Sequence, residues 1–467
     1  MSSTTSPTPA PGTPSSARAA MGFRPLPKAV RHFLDTEAAG GVVLVLAAVV
    51  ALAWANSPWH TAYEDLWDAS ASLRIGSVGF EDDLHHLVND GLMALFFLVV
   101  GLEVKRELVA GDLRDPRVAA LPALGALGGM VVPAGIYLAF NAGAEGSSGW
   151  GIPMATDIAF ALGVLALLGP RIPSALKLFL LTLAIVDDIG AIVVIAVAYS
   201  DGVDLVALGV AVGAVAAAMA CRRLRLWTPV IYVVLGVVCW LATYESGVHA
   251  TLAGVAFGLL APARPRAPGD VVREWAGDLS DEPSADEMRS LTTVATESVS
   301  VAERLQHTLH PVTSFLVVPV FALANAGIRV TGDELSAPGA EAVAVGVVAG
   351  LVVGKAVGVT AAAALAVRLR LAVLPDGVRW PQMLAVGALA GIGFTVSLFI
   401  GGLAFDDPTL DAAARLAVLA ASVLASVLGA GLLIATTDGR GATERRAAAA
   451  HGAPAEGDDS PARTGPA

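Results

Sequence analysis

LTLAIVDDIGAIVVIAV, residues 181–197, reads as the centre of a membrane helix with two adjacent carboxylates, Asp187 and Asp188, near its middle. A helix needs about 20 predominantly apolar residues to cross a hydrocarbon core of roughly 30 Å. Apart from Thr182 and the two aspartates, every residue in this run is apolar or glycine. A charge at that depth costs roughly 2.5–3.5 kcal/mol on insertion scales, so intramembrane ionisable residues are candidates for function by default.

The rest of the chain agrees with a membrane reading. Its 467 residues are 55% hydrophobic, mean hydropathy is +0.69, and only 15% are charged. A soluble protein would carry about a quarter charged residues. The apolar residues come in long blocks, and alternating strand patterns of about ten residues, which a membrane barrel requires, are absent. Helices then satisfy the backbone polar groups in lipid. The expected fold is therefore all-α and polytopic, with about twelve spans: 38–55, 85–104, 118–140, 151–169, 174–199, 203–220, 229–244, 247–261, 309–328, 341–366, 383–403 and 412–435. Basic residues fall in alternate loops. Lys105, Arg106, Arg114 and Arg117 follow the second span, Arg222, Arg223 and Arg225 the sixth, and Arg368, Arg370 and Arg379 the tenth. That alternation predicts an even number of spans in a plasma (inner) membrane, with both termini cytoplasmic.

Residues 1–35 and 436–467 read as cytoplasmic tails flanking a membrane domain over 36–435; the Ser/Thr/Pro/Ala-rich start and residues 437–467 have the composition of disorder. Residues 1–20 lack the apolar core of a cleavable signal. The acidic, polar segment 262–304 reads as a flexible cytoplasmic insert within the membrane domain. Two cysteines, Cys221 and Cys239, indicate neither a disulfide framework nor a cysteine-based metal site. The net charge of −12 comes without a broad basic surface, so nucleic acid is not an expected partner. The expected surroundings are membrane lipid, and no cofactor is expected.

Consecutive helical residues point about 100° apart, so one carboxylate of the pair can line a water-filled cavity while the other faces protein. Sodium, a hard cation, prefers oxygen ligands, and the same oxygens bind protons. Paired carboxylates titrate as a coupled unit. Asp187 and Asp188 are therefore candidate sodium ligands at a site where sodium and protons compete. Lys355, in GLVVGKAVGVT (350–360), is also mid-span and needs a carboxylate or helix-end carbonyls as partner; either aspartate qualifies. Protonation of that aspartate would release the lysine, or the lysine could itself carry the proton. Asp157 follows Thr156 in GWGIPMATDIAFALG (149–163), where Pro153 disfavours a continuous helix. ALAGIGFTVSLFIGG (388–402) is a comparable break in the second half. Paired interrupted spans point to a transporter binding site. Half-helix N-termini are partly positive and C-termini partly negative, so Asp157 suits the former and Lys355 the latter.

A second cluster is expected on the cytoplasmic side: Asp90, Glu103, Arg106 and Glu107 from the second span, and Gln306, His307 and His310 from RLQHTLHP. His307 and His310, three apart, should share a helical face, and histidine titrates near neutrality. His249 reads as a packing or hydrogen-bonded residue. His85 and His86 suggest a metal site but lack partners at convincing spacing.

Taken together, VNDGLMALFFLVVGLEVKREL (88–108), ATDIAFALGVLALLG (155–169), LAIVDDIGAI (183–192), SGVHATLAG (246–254), FALANAG (321–327), VGK (353–355) and GIGFTVSLFI (391–400) closely resemble the NhaA family of bacterial sodium/proton antiporters. The resemblance covers roughly residues 36–435. That family is itself a type example of inverted repeats, so this architecture comes with the resemblance: spans 3–5 and 10–12 as repeats, with spans four and eleven unwound and crossing near the midplane. The resemblance further implies Asp188 as main sodium ligand, Asp187 beside it and bridged to Lys355, and Asp157 screening the helix ends near Thr156. It implies electrogenic, pH-regulated exchange, lithium as second substrate, and a homodimer that no residue pattern here requires. Gln306 departs from the family, which often has a glutamate there; glutamine cannot titrate, so the pH profile does not carry over. Rival readings fit less well. An intramembrane aspartyl protease draws its aspartates from two helices, typically with a GxGD signature, and a scaffold leaves the buried charges unexplained. A sodium-coupled solute symporter is the nearer rival.

Overall fold

The structure is a computed structural model that describes residues 28–75, 78–169, 172–200, 202–226, 228–265, 271, 284–330 and 338–451. Among the described residues, seven helices are long and apolar enough to cross a membrane: Leu84–Ala110, Pro116–Asn141, Ser174–Ala198, Leu205–Arg223, Val301–Asn325, Ala340–Arg368 and Pro408–Thr437. Three bent pairs raise the number to ten if each is one span: Ala39–Ala55 with His60–Trp67, Glu145–Met154 with Ile158–Leu167, and Trp380–Leu389 with Phe394–Ala404. Two shorter apolar helices, Pro229–Glu245 and Thr251–Leu260, complete the set. Every expected span thus has a helical counterpart. The order long helix, broken span, long helix occurs twice, over 116–198 and 340–437.

Glycines let the helices around the centre approach closely. A Cβ on Gly354 would lie 2.9 Å from the Pro133 Cα, and one on Gly358 would strike the Gly128 carbonyl. The Lys355 helix therefore rests backbone to backbone on Pro116–Asn141, the small-residue packing by which membrane helices associate. Leu84–Ala110 meets Thr251–Leu260 in the same way, where a Cβ on Gly101 would lie 2.8 Å from the Val255 carbonyl oxygen. Backbone atoms cannot give way as a side-chain tip can. Gly101→Val should cost about 1–3 kcal/mol of stability, read as a lowered thermal unfolding temperature in detergent; an unchanged temperature would contradict the close contact. Among the described residues, three π-helical turns, Leu87–Leu92, Thr313–Val317 and Ala349–Gly354, interrupt the long helices. Such turns concentrate at functional sites, and the last ends immediately before Lys355.

The structure departs from the sequence reading in three places. Ser70–Ile75 (β1) and Val78–Asp83 (β2) pair antiparallel, from Ser70↔Asp83 to Ile75↔Val78. At six residues each, these strands are shorter than any membrane strand and carry too little alternation to stand out. The segment 262–304 is not wholly a linker. Ala285–Glu297 is a helix closed by a capping box in which Ser284 accepts from the Glu287 N–H and Glu287 returns the bond. That reciprocal cap satisfies two orphan donors and explains a helix in an otherwise polar stretch. Val301–Val312 follows directly, while residues 266–270 and 272–283 lie outside the described set. The outer helices also reach into the expected tails: the first begins at Lys28 and the last continues to His451. Residues 1–27 and 452–467 lie outside the described residues.

Candidate functional site

The two broken spans cross at their interruptions. In the first, 3-10 turns over Glu145–Met154 give way to extended backbone at Ala155–Asp157, and Ile158–Leu167 then starts a new helix 46° off axis. In the second, Ala390–Gly393 separate Trp380–Leu389 from Phe394–Ala404, with a 51° bend. The strands of loose backbone satisfy each other. The Asp157 N–H donates to the Ile392 carbonyl at 2.6 Å, and the Ser397 hydroxyl donates to the Ile152 carbonyl at 2.7 Å.

Four helix ends meet here with few polar partners available. Asp157 serves both N-termini with one carboxylate. Its Oδ1 accepts the Phe160 N–H at 2.9 Å, capping its own helix, and its Oδ2 accepts the Thr395 N–H at 3.1 Å and the Thr395 hydroxyl at 2.6 Å. A carboxylate at a helix N-terminus is favoured by both the orphan N–H groups and the dipole. The C-terminal ends are met by donors. Lys355 Nζ donates to the Met154 carbonyl, and the Thr156 hydroxyl lies 2.7 Å from the Ala390 carbonyl. The Asp157 carboxylate thus sits at the two N-terminal ends and the Lys355 ammonium at a C-terminal end.

Lys355 is fully buried and spends all three N–H groups: on Asp187 Oδ2, on the Met154 carbonyl, and on Thr156 Oγ1 at 3.0 Å. Thr156 also lies 2.5 Å from Asp187 Oδ2, so its single proton has two acceptors in reach. Asp187 Oδ1 is buried without a hydrogen-bond partner. Of the two aspartates open to the lysine from sequence, the structure pairs Asp187.

Asp188 differs. No hydrogen bond from a described residue reaches its carboxylate, which lines a cavity of ≈ 50 Å³ together with Thr156, Asp157, Thr395, Glu103 and His310. One water occupies about 10–15 Å³ of such space, so the cavity has room for a partly hydrated small cation beside the carboxylate. The hydroxyls of Thr156 and Thr395 and the carboxylates of Asp157 and Asp188 supply the oxygens a hard cation prefers. Adjacent in sequence and about 100° apart in direction, the aspartates have separate partners: lysine for one, cavity for the other.

The second cluster assembles only in part. Gln306 bridges it, accepting from Arg106 Nη1 at 3.3 Å and donating from Nε2 to Glu103 Oε1 at 3.0 Å. Glu107 accepts the Asp112 N–H at 3.0 Å, tying the helix end to the following turn. His310 is buried and reaches the cavity, but His307 is exposed. Only one of the two histidines joins the cluster: Gln306 and His310, four apart, face the bundle, whereas His307, one residue beyond Gln306 and turned about 100° from it, is exposed. Asp90 is also misplaced by the sequence reading. Thirteen residues before Glu103, it lies about 20 Å away at the far end of the same helix, where its carbonyl accepts from Trp240 Nε1 at 2.9 Å. His249 is hydrogen-bonded as expected, with Nε2 2.6 Å from the Tyr199 carbonyl.

Sequence reasoning missed Thr395, whose pairing with Asp157 has no local signal. It also missed the carbonyls of Met154, Ala390 and Ile392, which any residue type can supply. The i, i+4 ion pair of Asp411 with Arg415, 2.7 Å apart and largely buried in the last span, had a signal in its spacing that was not read.

A multi-span helical protein in which two interrupted helices cross over buried, oppositely charged side chains has the build of a secondary transporter. A family model described as Na+/H+ antiporter 1 matches residues 31–433. Among relatives, the Na(+)/H(+) antiporter NhaA 3 of Frankia alni is 50% identical over 406 residues, 86% of this chain and 88% of its own. NhaA of Rhodopirellula baltica is 46% identical over 87% of this chain and 93% of its own, and NhaA 2 of Myxococcus xanthus is 45% identical over 88% and 90%. The chain belongs to the NhaA family of Na+/H+ antiporters.

Proposed function

We propose that the chain is an electrogenic, pH-regulated Na+(Li+)/H+ antiporter that exports cytoplasmic sodium in exchange for external protons, acting by alternating access at one site. The observation that carries this reading is the division within the aspartate pair. Asp188 presents unpaired oxygens to a cavity, while Asp187 is held by Lys355. Sodium and a proton compete for the Asp188 oxygens, so occupancy by one displaces the other. The ion pair is the place for a second proton, since parting it requires a proton on Asp187 or the loss of one from Lys355. Two protons against one sodium make the exchange electrogenic. The physiological outcome is control of cytoplasmic sodium and pH by a protein of the bacterial inner membrane with both termini cytoplasmic; the family names and the alternating basic loops support that placement.

The test is exchange in proteoliposomes carrying an imposed proton gradient. Sodium or lithium added outside should collapse the gradient, whereas potassium should not. A gradient indifferent to sodium and lithium would overturn the reading. The link from Glu103 through Gln306 to Arg106 lies against the cavity, and it supports a role for this cluster in setting the pH response. Gln306→Glu places a titratable group there, and the exchange rate should shift along the pH axis; an unmoved profile would reduce the cluster to a structural belt.

A further inference from the structure

The N-terminal end of Leu84–Ala110 gathers metal-ligand chemistry that the exchange site does not use. One donor atom from each of Asp83, His85 and His86 lies within 4.8 Å of the others. Asp83 Oδ1 accepts the His86 N–H at 2.7 Å, capping the helix, and sits 2.8 Å from His86 Nδ1. The His85 and His86 rings stand at 90° to each other with centroids 6.1 Å apart. His85 Nδ1 lies 3.4 Å from Asn89 Nδ2, and the ring also hydrogen-bonds the Asn325 side chain, so a metal would take the nitrogen that gives up its amide partner. A neighbouring hydrogen bond on the other ring nitrogen is the usual support of a metal-binding histidine. Asp82 completes the surroundings: its Oδ1 is 3.4 Å from His86 Nδ1, and its Oδ2 is held by the Tyr244 hydroxyl at 2.5 Å.

An N-cap explains Asp83 and one backbone bond, but it gives no reason for two imidazoles to converge on the same carboxylate. We propose that Asp83, His85 and His86 bind a transition-metal dication of the zinc class. Two imidazoles and one carboxylate are a ligand set that zinc accepts, with a fourth position for water. Sodium, magnesium and calcium prefer all-oxygen sites. Seventeen residues separate His86 from Glu103, about 25 Å along the helix, so this site is separate from the Asp188 cavity. Contraction of the ligand atoms onto a metal would tie β2 to the helix start.

The sequence alone made His85 and His86 look unpartnered; the fold brings Asp83 to them through the turn from strand to helix. The test is zinc titration of the full chain, purified without a histidine tag, by calorimetry and zinc X-ray absorption. The wild type should take up one zinc with two imidazoles and mixed oxygen ligation, and magnesium should not displace it. His85→Ala/His86→Ala should lose that zinc while keeping sodium-dependent exchange as evidence of folding. Asp83→Asn keeps a good N-cap and should weaken zinc binding at least tenfold. Binding should also weaken as pH falls through the imidazole range. A wild type that takes up no zinc overturns the proposal. So does a double variant that binds zinc as the wild type does.

Discussion

In Asp188→Asn, sodium- and lithium-driven exchange should fall to the level of empty vesicles. The amide keeps the size of the carboxylate and can fill the same space. It cannot carry the charge that balances a cation, and it has no proton to give up. Both halves of the exchange are lost together. A drop of roughly a hundredfold corresponds to about 2.8 kcal/mol at 1.4 kcal/mol per tenfold, a modest demand for removing from a low-dielectric site a cavity carboxylate that accepts no hydrogen bond from the described residues. The protein itself should survive, because no described residue loses a hydrogen bond to Asp188. Retained unfolding temperature with lost exchange is the expected pair of results. Undiminished exchange would move the cation site elsewhere.

Lys355→Met should act on stability first. The thioether matches the lysine stem but leaves the buried Asp187 carboxyl without its counter-charge, with the Met154 carbonyl and Thr156 short of a donor. Removing one partner of a buried ion pair typically costs about 3–5 kcal/mol, whereas replacing both is often nearly neutral. Lys355→Met alone should therefore lower the unfolding temperature steeply. Asp187→Asn added to it should recover most of the loss, since the stranded carboxyl is gone. The cycle isolates the coupling between two contacting residues. Equal destabilisation in the single and the double variant would mean that lysine acts by packing its stem and not by its charge.

The fold was legible because lipid leaves a chain few options. Apolar blocks of membrane-spanning length become helices, and Pro153, Gly391 and Gly393 mark where two of them break. The central charges were legible for the same reason: Asp187, Asp188, Asp157 and Lys355 are too costly in an apolar helix to be incidental. Helix geometry alone left the two aspartates equivalent, because a 100° difference in direction decides nothing until the neighbours are known; only the family resemblance separated them, with Asp187 beside Lys355. His307 and Asp90 failed on geometry. One residue of rotation carried the histidine out of the cluster, and thirteen residues of helix carried the aspartate to the far end. The helix at Ala285–Glu297 was hidden by a polar composition that its capping box overrides. Thr395 lies 238 positions from Asp157, and long-range partners of this kind leave no local trace.

The central claim is that sodium and protons contend for the Asp188 carboxylate. Its most direct test is the initial rate of sodium uptake into proteoliposomes, measured against sodium concentration at a series of pH values. Direct competition predicts that acidification raises the KM for sodium, approaching tenfold per pH unit once the carboxylate is mostly protonated, with the same maximal rate at saturating sodium. A maximal rate that falls with acidification while KM stays constant would contradict a shared site.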